Sequence, residues 1–287
     1  MVNENPTSRT ALLFDIDNTL TPPRQVLRES MANVLKRLCL PFHVVAGSHL
    51  DILQEQFFDP LYAFGFRKQF EAFLSLGGVH YRCDYSKGMS IEVVSAFDMR
   101  EYLGDIDYCF LMDVLTKTLG FATFRLPPTL EVIGETITYR GSMINFCPIG
   151  RAEQESTEYR RNRDNFVEFD RASNYRQIMM EHLKGELSSL VKDRKLTIVL
   201  GGQTSFDISV ATRDKTYAVR TLLDRGFERL VFMGDALFDG GNDAAIREFA
   251  ENWRSETRCP LETIQVSGWE ETIRRLYELQ FVAEHGD

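Results

Sequence analysis

Four apolar residues, Ala11-Leu12-Leu13-Phe14, run without interruption into Asp15. An unbroken run of that kind suits a strand buried on both faces, as in a parallel sheet, and predicts a strand over 11–16. Beyond the Pro22-Pro23 loop, Val26, Leu27, Met31, Val34, Leu35 and Leu38 fall on one face of a helix. A short strand over 42–46, ending in Gly47-Ser48, and a helical stretch over 50–57 follow. The same alternation returns late in the chain, as a strand over 229–233, a helix over 243–253, a strand over 263–266 and a helix over 269–279. Strand–helix repetition predicts an α/β fold with a doubly wound parallel sheet.

The middle of the chain has another rhythm. Longer helical stretches, 99–119 and 173–192, share it with paired short strands. The pairs are 131–139 with 142–147, around Arg140-Gly141, and 196–201 with 205–210, around Gly202-Gln203-Thr204. That pattern predicts an α+β cap domain over 97–211, inserted into a core formed by 1–96 and 212–287. No internal repeat or low-complexity tract interrupts either part.

At 287 residues the chain can bury two unequal cores, and 44% hydrophobic with 26% charged residues is ordinary for a globular protein. The net charge of −9 argues against a nucleic-acid partner, which needs a basic surface to displace counterions. An anionic substrate must then be caught by a local basic cluster. Cys39, Cys83, Cys109, Cys147 and Cys259 are scattered, with no C-x-x-C pair, and are expected to be reduced thiols of a cytoplasmic protein. No membrane span is expected, and Met1–Thr10 is too polar for a signal peptide.

Chemistry enters at the strand ends. Asp15-Ile16-Asp17 delivers two carboxylates to the carboxyl edge of the predicted sheet, where open α/β folds keep their sites. Asp15 is a candidate nucleophile and metal ligand, and Asp17 a candidate general acid/base. The ordinary reading of Asp17-Asn18-Thr19 is turn chemistry. A second motif, Gly234-Asp235 through Gly240-Gly241-Asn242-Asp243, follows the apolar run over 230–233. Its carboxylates are hard oxygen ligands suited to Mg²⁺, although Asn242 or Asp243 also suits a helix N-cap. Ser48 follows the second strand and can donate to a phosphate oxygen. Lys215, in Arg213-Asp214-Lys215, can neutralise a phosphate and the attacking carboxylate. Taken singly, either residue is an ordinary loop residue.

This ordered set resembles the haloacid dehalogenase superfamily of phosphoryl-transfer enzymes. More narrowly, the chain from about Ala11 to Phe281 is similar to the eukaryotic-type phosphomannomutase family. The stretches that carry the likeness are 15–25, 44–48, 139–145, 148–151, 201–207 and 234–243. The resemblance implies that Asp15 is phosphorylated and that Asp17 shuttles the proton. It implies Mg²⁺ held by Asp15, the Asp17 carbonyl and Asp235. It also implies substrate binding by Arg24 from the core and by Arg140, Arg151, Arg163, Ser205 and Asp207 from the cap. Guanidinium forks suit phosphate, and an Asp suits sugar hydroxyls.

The activity so implied is interconversion of mannose 6-phosphate and mannose 1-phosphate, feeding GDP-mannose synthesis. A hexose 1,6-bisphosphate serves as intermediate and activator, and a homodimer through the cap is expected. A sugar-phosphate phosphatase using the same aspartates, or a silent binding protein keeping the fold, are the competing readings. The chain departs from the family at Asn18, where Gly is usual. About four extra residues precede Val167–Asp170, so Arg163 is matched ahead of Arg160 or Arg161. Residues 151–176 hold six arginines and six acidic residues, expected mostly to be solvated. Arg247 and Phe249 stand where ligands for a second ion are often found, so one essential Mg²⁺ is expected. Residues 77–91 match the family poorly, leaving the core–cap hinge open.

Overall fold

The computed structural model describes residues 9–75, 78–152, 156–211, 213–239, 241–254 and 260–283. Cys259, Gly240 and most of the polar amino terminus lie outside the described residues. Two compact units divide the chain, Met1–Ala96 with Arg213–Asp287, and Phe97–Thr212.

In chain order the first unit opens with β1 (Thr10–Phe14), α1 (Glu29–Lys36) and β2 (Phe42–Val45). Next come α2 (Leu50–Leu53), a π-helical turn (Gln54–Phe58), α3 (Asp59–Ala63), β3 (Gln69–Leu74), β4 (Val79–Asp84) and β5 (Ser90–Ala96). The second unit contains α4 (Met99–Thr118), β6 (Glu135–Tyr139), β7 (Met143–Arg151), α5 (Thr157–Ser173), α6 (Tyr175–Glu186) and α7 (Ser188–Asp193). It ends with the hairpin β8 (Leu196–Gly201) and β9 (Ser205–Val210). The chain returns to the first unit through α8 (Thr216–Asp224), β10 (Arg229–Gly234), α9 (Ala244–Arg254), β11 (Leu261–Gln265) and α10 (Trp269–Glu278).

The first unit's sheet has the order β11-β10-β1-β2-β3-β4-β5, parallel from β11 to β3 and antiparallel through β4 and β5. Alternate residues of each central strand enter opposite cores. Leu12, Phe14, Val231 and Met233 pack with Met31 and Leu35 of α1 and Leu276 of α10. Ala11, Leu13, Leu230 and Phe232 pack with Val219 and Leu222 of α8 and Ile246 of α9. Burial on both faces is the physical reason for the uninterrupted apolar runs.

In the second unit β6-β7-β9-β8 form an antiparallel sheet. Ile144, Phe146, Phe206 and Ile208 pack with Leu115 of α4, Phe166 of α5, and Met179 and Leu183 of α6. Their neighbours Asn145 and Asp207, directly paired across β7 and β9, belong to the opposite face.

Several boundaries differ from the sequence reading. The first strand stops at Phe14, which leaves Asp15 and Ile16 in the following turn. The predicted helix over 50–57 continues through the π-helical turn to Ala63. The reading over 173–192 divides at Leu187, and α5 is a helix where a solvated segment was expected. Among the described residues no helix is long and apolar enough to cross a membrane.

Candidate active site

Asp15 is the first residue past β1, and its N–H donates to the Met233 carbonyl at 3.0 Å. Asp235 stands one residue past β10. The register of these parallel neighbours, Phe14 opposite Met233, brings both carboxylates to one sheet edge. Lys215 precedes α8, whose start is fixed by Asp214 Oδ1 accepting from the Thr216 N–H at 2.8 Å. The buried Lys215 Nζ donates to Asp15 Oδ1 at 2.6 Å and to Asp243 Oδ1 at 2.5 Å. Asp243 Oδ2 accepts from the Ala236 N–H at 3.3 Å. Gly234 makes room for this approach, because a Cβ there would collide with the Asp243 carboxylate and the Phe232 ring.

Burial of charge at this density requires compensation. Burial pushes the Asp15 pKa up to about 7, with Asp243 and Asp235 adding to the rise and Lys215 opposing it. For Lys215 burial acts downward, but Asp15 and Asp243 overcome it and hold the ammonium above its ordinary value.

Asp15, Asp235 and Asp243 offer carboxylate oxygens within 4.8 Å of one another. Three carboxylates against one ammonium leave negative charge that a hard divalent cation would offset, and an all-oxygen donor set suits Mg²⁺. Asp243 has both oxygens engaged by Lys215 and Ala236, so its first duty is to hold the lysine. Among the described residues, Asp15 and Asp235 each have one oxygen bonded, to Lys215 and Asn18, and one oxygen left for a cation.

The turn after β1 is closed by the Ile16 carbonyl, which accepts from the N–H groups of Thr19, Leu20 and Thr21. Within it Asn18 adopts φ 57°. Its side-chain Nδ2 donates to Asp235 Oδ2 at 2.9 Å. Asp17 is exposed, with Oδ1 accepting from the Arg24 N–H at 2.6 Å. Its carboxylate is outside the buried cluster; the part expected of it at a metal is its main-chain carbonyl. Ser48 is half-buried beyond β2, the strand beside β1, and its carbonyl accepts from the Ser75 N–H at 3.1 Å.

In the second unit the polar face of the sheet gathers Asn145, Ser205 and Asp207. Asn145 Nδ2 donates to Asp207 Oδ1 at 2.7 Å and to Ser205 Oγ at 3.0 Å. Burial raises the Asp207 pKa, while the Asn145 hydrogen bond and the nearby Arg151 oppose the rise. A Cβ at Gly201 would press into the Asp207 carboxylate, so glycine there admits the acid. Arg140 sits in the β6–β7 turn and Arg151 ends β7. On α5 Arg163 is half-buried, its guanidinium 6.0 Å from the Tyr159 ring centre, whereas Arg160 and Arg161 are exposed.

Three contributors escaped the sequence reading. Asp243 was weighed there as a carboxylate of the Mg²⁺ motif or a helix cap, and not as a partner of Lys215. Asn145 stood inside a quoted stretch but looked like a strand residue. Arg176 binds Asp170 at 2.8 Å and the Gly202 and Ser205 carbonyls at 3.0 and 3.3 Å, pinning the β8–β9 turn. No local signal separates it from its neighbouring arginines.

Carboxylates at the ends of adjacent parallel strands, closed around a buried lysine and joined to an α+β insert, define a protein of the haloacid dehalogenase fold. The fold is similar to that of N-terminally truncated, IMP-bound Plasmodium falciparum IMP-nucleotidase. That structure aligns with a TM-score of 0.56 at 16% identity, over 96% of this chain and 69% of that one. The family model for eukaryotic phosphomannomutase matches residues 27–274, and the chain belongs to that family. It is 30% identical over 264 residues to phosphomannomutase 2 of Dictyostelium discoideum, covering 90% of this chain and 94% of that protein. Against the phosphomannomutase of Triticum aestivum it is 31% identical over 259 residues, covering 88% and 92%. Asp15 and Asp17 lie just ahead of the stretch the family model matches.

Proposed function

We infer that the chain is a phosphomannomutase, interconverting mannose 6-phosphate and mannose 1-phosphate through a phospho-aspartate and a hexose 1,6-bisphosphate. The observation that carries this reading is the buried Asp15–Lys215–Asp243 set at the sheet edge, in a chain that belongs to this family.

A carboxylate oxygen of Asp15 forms the bond to phosphorus as the sugar oxygen leaves, and the leaving oxygen takes its proton from Asp17. In the return transfer Asp17 accepts the proton of the attacking sugar hydroxyl, and the phosphoryl group leaves Asp15. The Arg24 N–H steadies one Asp17 oxygen and leaves the other for that proton. Lys215 reduces the repulsion between Asp15 and an anionic phosphoryl group. Two like unit charges about 4 Å apart repel by about 4 kcal/mol at an effective dielectric near 20. Mg²⁺, held by Asp15 and Asp235 with the Asp17 carbonyl, would supply further neutralisation of the phosphoryl oxygens.

Ser48 is assigned to the transferring phosphate. Arg24, Arg140, Arg151 and Arg163 are assigned to the substrate's phosphates, and Ser205 and Asp207 to sugar hydroxyls. Cytoplasmic location rests on cysteine usage, with Cys83 and Cys147 carried as buried thiols. A homodimer through the cap is supported by Ile106, 87% exposed, and Phe110 one turn on, an apolar pair facing outward from α4.

The test is isomerisation of mannose 1-phosphate with and without a catalytic amount of hexose 1,6-bisphosphate. Acceleration by the bisphosphate with little inorganic phosphate released is the expected result. Stoichiometric phosphate release with no 6-phosphate formed would assign the site to a phosphatase.

A further inference from the structure

The turn after β1 does not need the Asn18 side chain. The Ile16 carbonyl already closes that turn through three backbone N–H groups. At φ 57° glycine would be the less strained residue. The Asn18 carboxamide instead reaches across 217 positions of sequence and donates to Asp235 Oδ2 at 2.9 Å. A loop residue from beyond β11 lies alongside, since a Cβ on Gly268 would stand 3.6 Å from Asn18 Oδ1.

We propose that Asn18 is a positioning residue for the cation site, fixing the Asp235 carboxylate so that its remaining oxygen joins Asp15. The inference rests on the Mg²⁺ reading above and adds to it a hydrogen bond that a Gly at this position could not make. Asp235 is half-buried and follows the last residue of β10, outside the sheet ladder, and its one hydrogen bond among the described residues is the one from Asn18. A directed amide donor restrains the carboxylate before the cation arrives and compensates charge on Oδ2. Partners that orient a metal-bound carboxylate change affinity by about 10–100-fold when removed.

The measurement is Mg²⁺ binding to substrate-free protein by calorimetry, together with melting curves with and without Mg²⁺. The proteins compared are the wild type, Asn18→Gly and Asp235→Asn. Asn18→Gly is expected to weaken Mg²⁺ binding about tenfold. Its metal-free Tm should be unchanged or higher, because Gly adopts the left-handed backbone freely. Its Mg²⁺-dependent rise in Tm should shrink toward that of Asp235→Asn. Binding within twofold of wild type overturns the proposal, whatever the metal-free Tm does. A wild-type protein that takes up no Mg²⁺ fails the cation reading itself, and the proposal with it.

Discussion

At Asp15 an amide is a poor nucleophile and a weaker ligand than a carboxylate, so Asp15→Asn is expected to abolish turnover. Asp15 labelling by radioactive hexose bisphosphate should vanish with it; retained labelling at wild-type level would exclude Asp15 as the acceptor. Asp17→Asn removes a proton shuttle and should lower kcat by roughly 10²–10⁴-fold while substrate still binds, a split that steady-state kinetics reads directly. In the cap, Arg163→Ala should raise KM by removing a charge-assisted contact worth about 1.5–3 kcal/mol. Arg160→Ala, at an exposed position on the same helix, should leave KM near wild type. The reverse ranking would move the insertion to the other side of Arg160. The sequence made Asp15 and Asp235 legible because each ends an apolar strand run, whereas Lys215 gained meaning only from its place relative to those two motifs. It left Asp243 ambiguous because a helix cap and a lysine partner use the same residue type.

The elements read most surely were those with a double-sided or strongly periodic pattern, such as β1, α1, β10 and α10. The antiparallel strands β4 and β5 were not read. On β4 it is polar His80 that turns inward, stacked on Phe73 at 4.4 Å, while β5 exposes Val93 and Val94. Burial there runs against polarity, so alternation misleads. Pro60 gives a stop signal, yet it sits inside the continuous helical stretch 50–63; it has no N–H for the turn before it, where the Gln56 carbonyl accepts from the Leu27 N–H at 2.8 Å instead. Likewise α5 has few apolar positions and is anchored by Tyr159 and Phe166, with Ser156 Oγ accepting from the Tyr159 N–H at 3.0 Å. Ser156→Ala should therefore cost about 1 kcal/mol, seen as a lower urea midpoint for the cap transition. Gly201→Ala should raise KM more than it lowers Tm, because the added methyl group meets the Asp207 carboxylate; an unchanged KM would remove Asp207 from the substrate site.

On the scale of the whole molecule, acid should destabilise this protein well above the range where carboxylates protonate. His43 is buried in β2, where its Nδ1 accepts from the Glu71 N–H at 3.2 Å. Burial lowers its pKa to about 4, with Arg225 and His80 acting in the same direction and Glu71 opposing. The unfolded chain takes up this proton near pH 6.5 and the folded one only near 4, so stability is complete above 6.5 and falls as pH drops toward 4. The loss is on the order of 3 kcal/mol. Against the upward pull of burial, Glu71 is itself held down to about 2 by His80, whose Nε2 lies 3.3 Å from its Oε2, and by the hydrogen-bonded Arg225. Its contribution is complete above 4.5 and is lost as pH falls toward 2. Melting curves at pH 7 and pH 5 should show the drop, and His43→Gln should flatten it.

The amino-acid sequence by itself determined the class of sheet, the position of the insert and the motif-end residues. These follow from local quantities, namely apolar run length, helical spacing and turn chemistry, and they survive wherever the chain goes. Only the tertiary structure decided which carboxylate Lys215 shares with Asp15, what Asn18 reaches across 217 positions to hold, and which face of β7 carries Asn145. Each of those depends on strand order and register. Pairing β1 beside β10 creates the buried charge cluster, and pairing β7 beside β9 sets Asn145 against Asp207. No spacing along the chain encodes these meetings, because the partners are joined by the packing of the sheets rather than by the backbone between them.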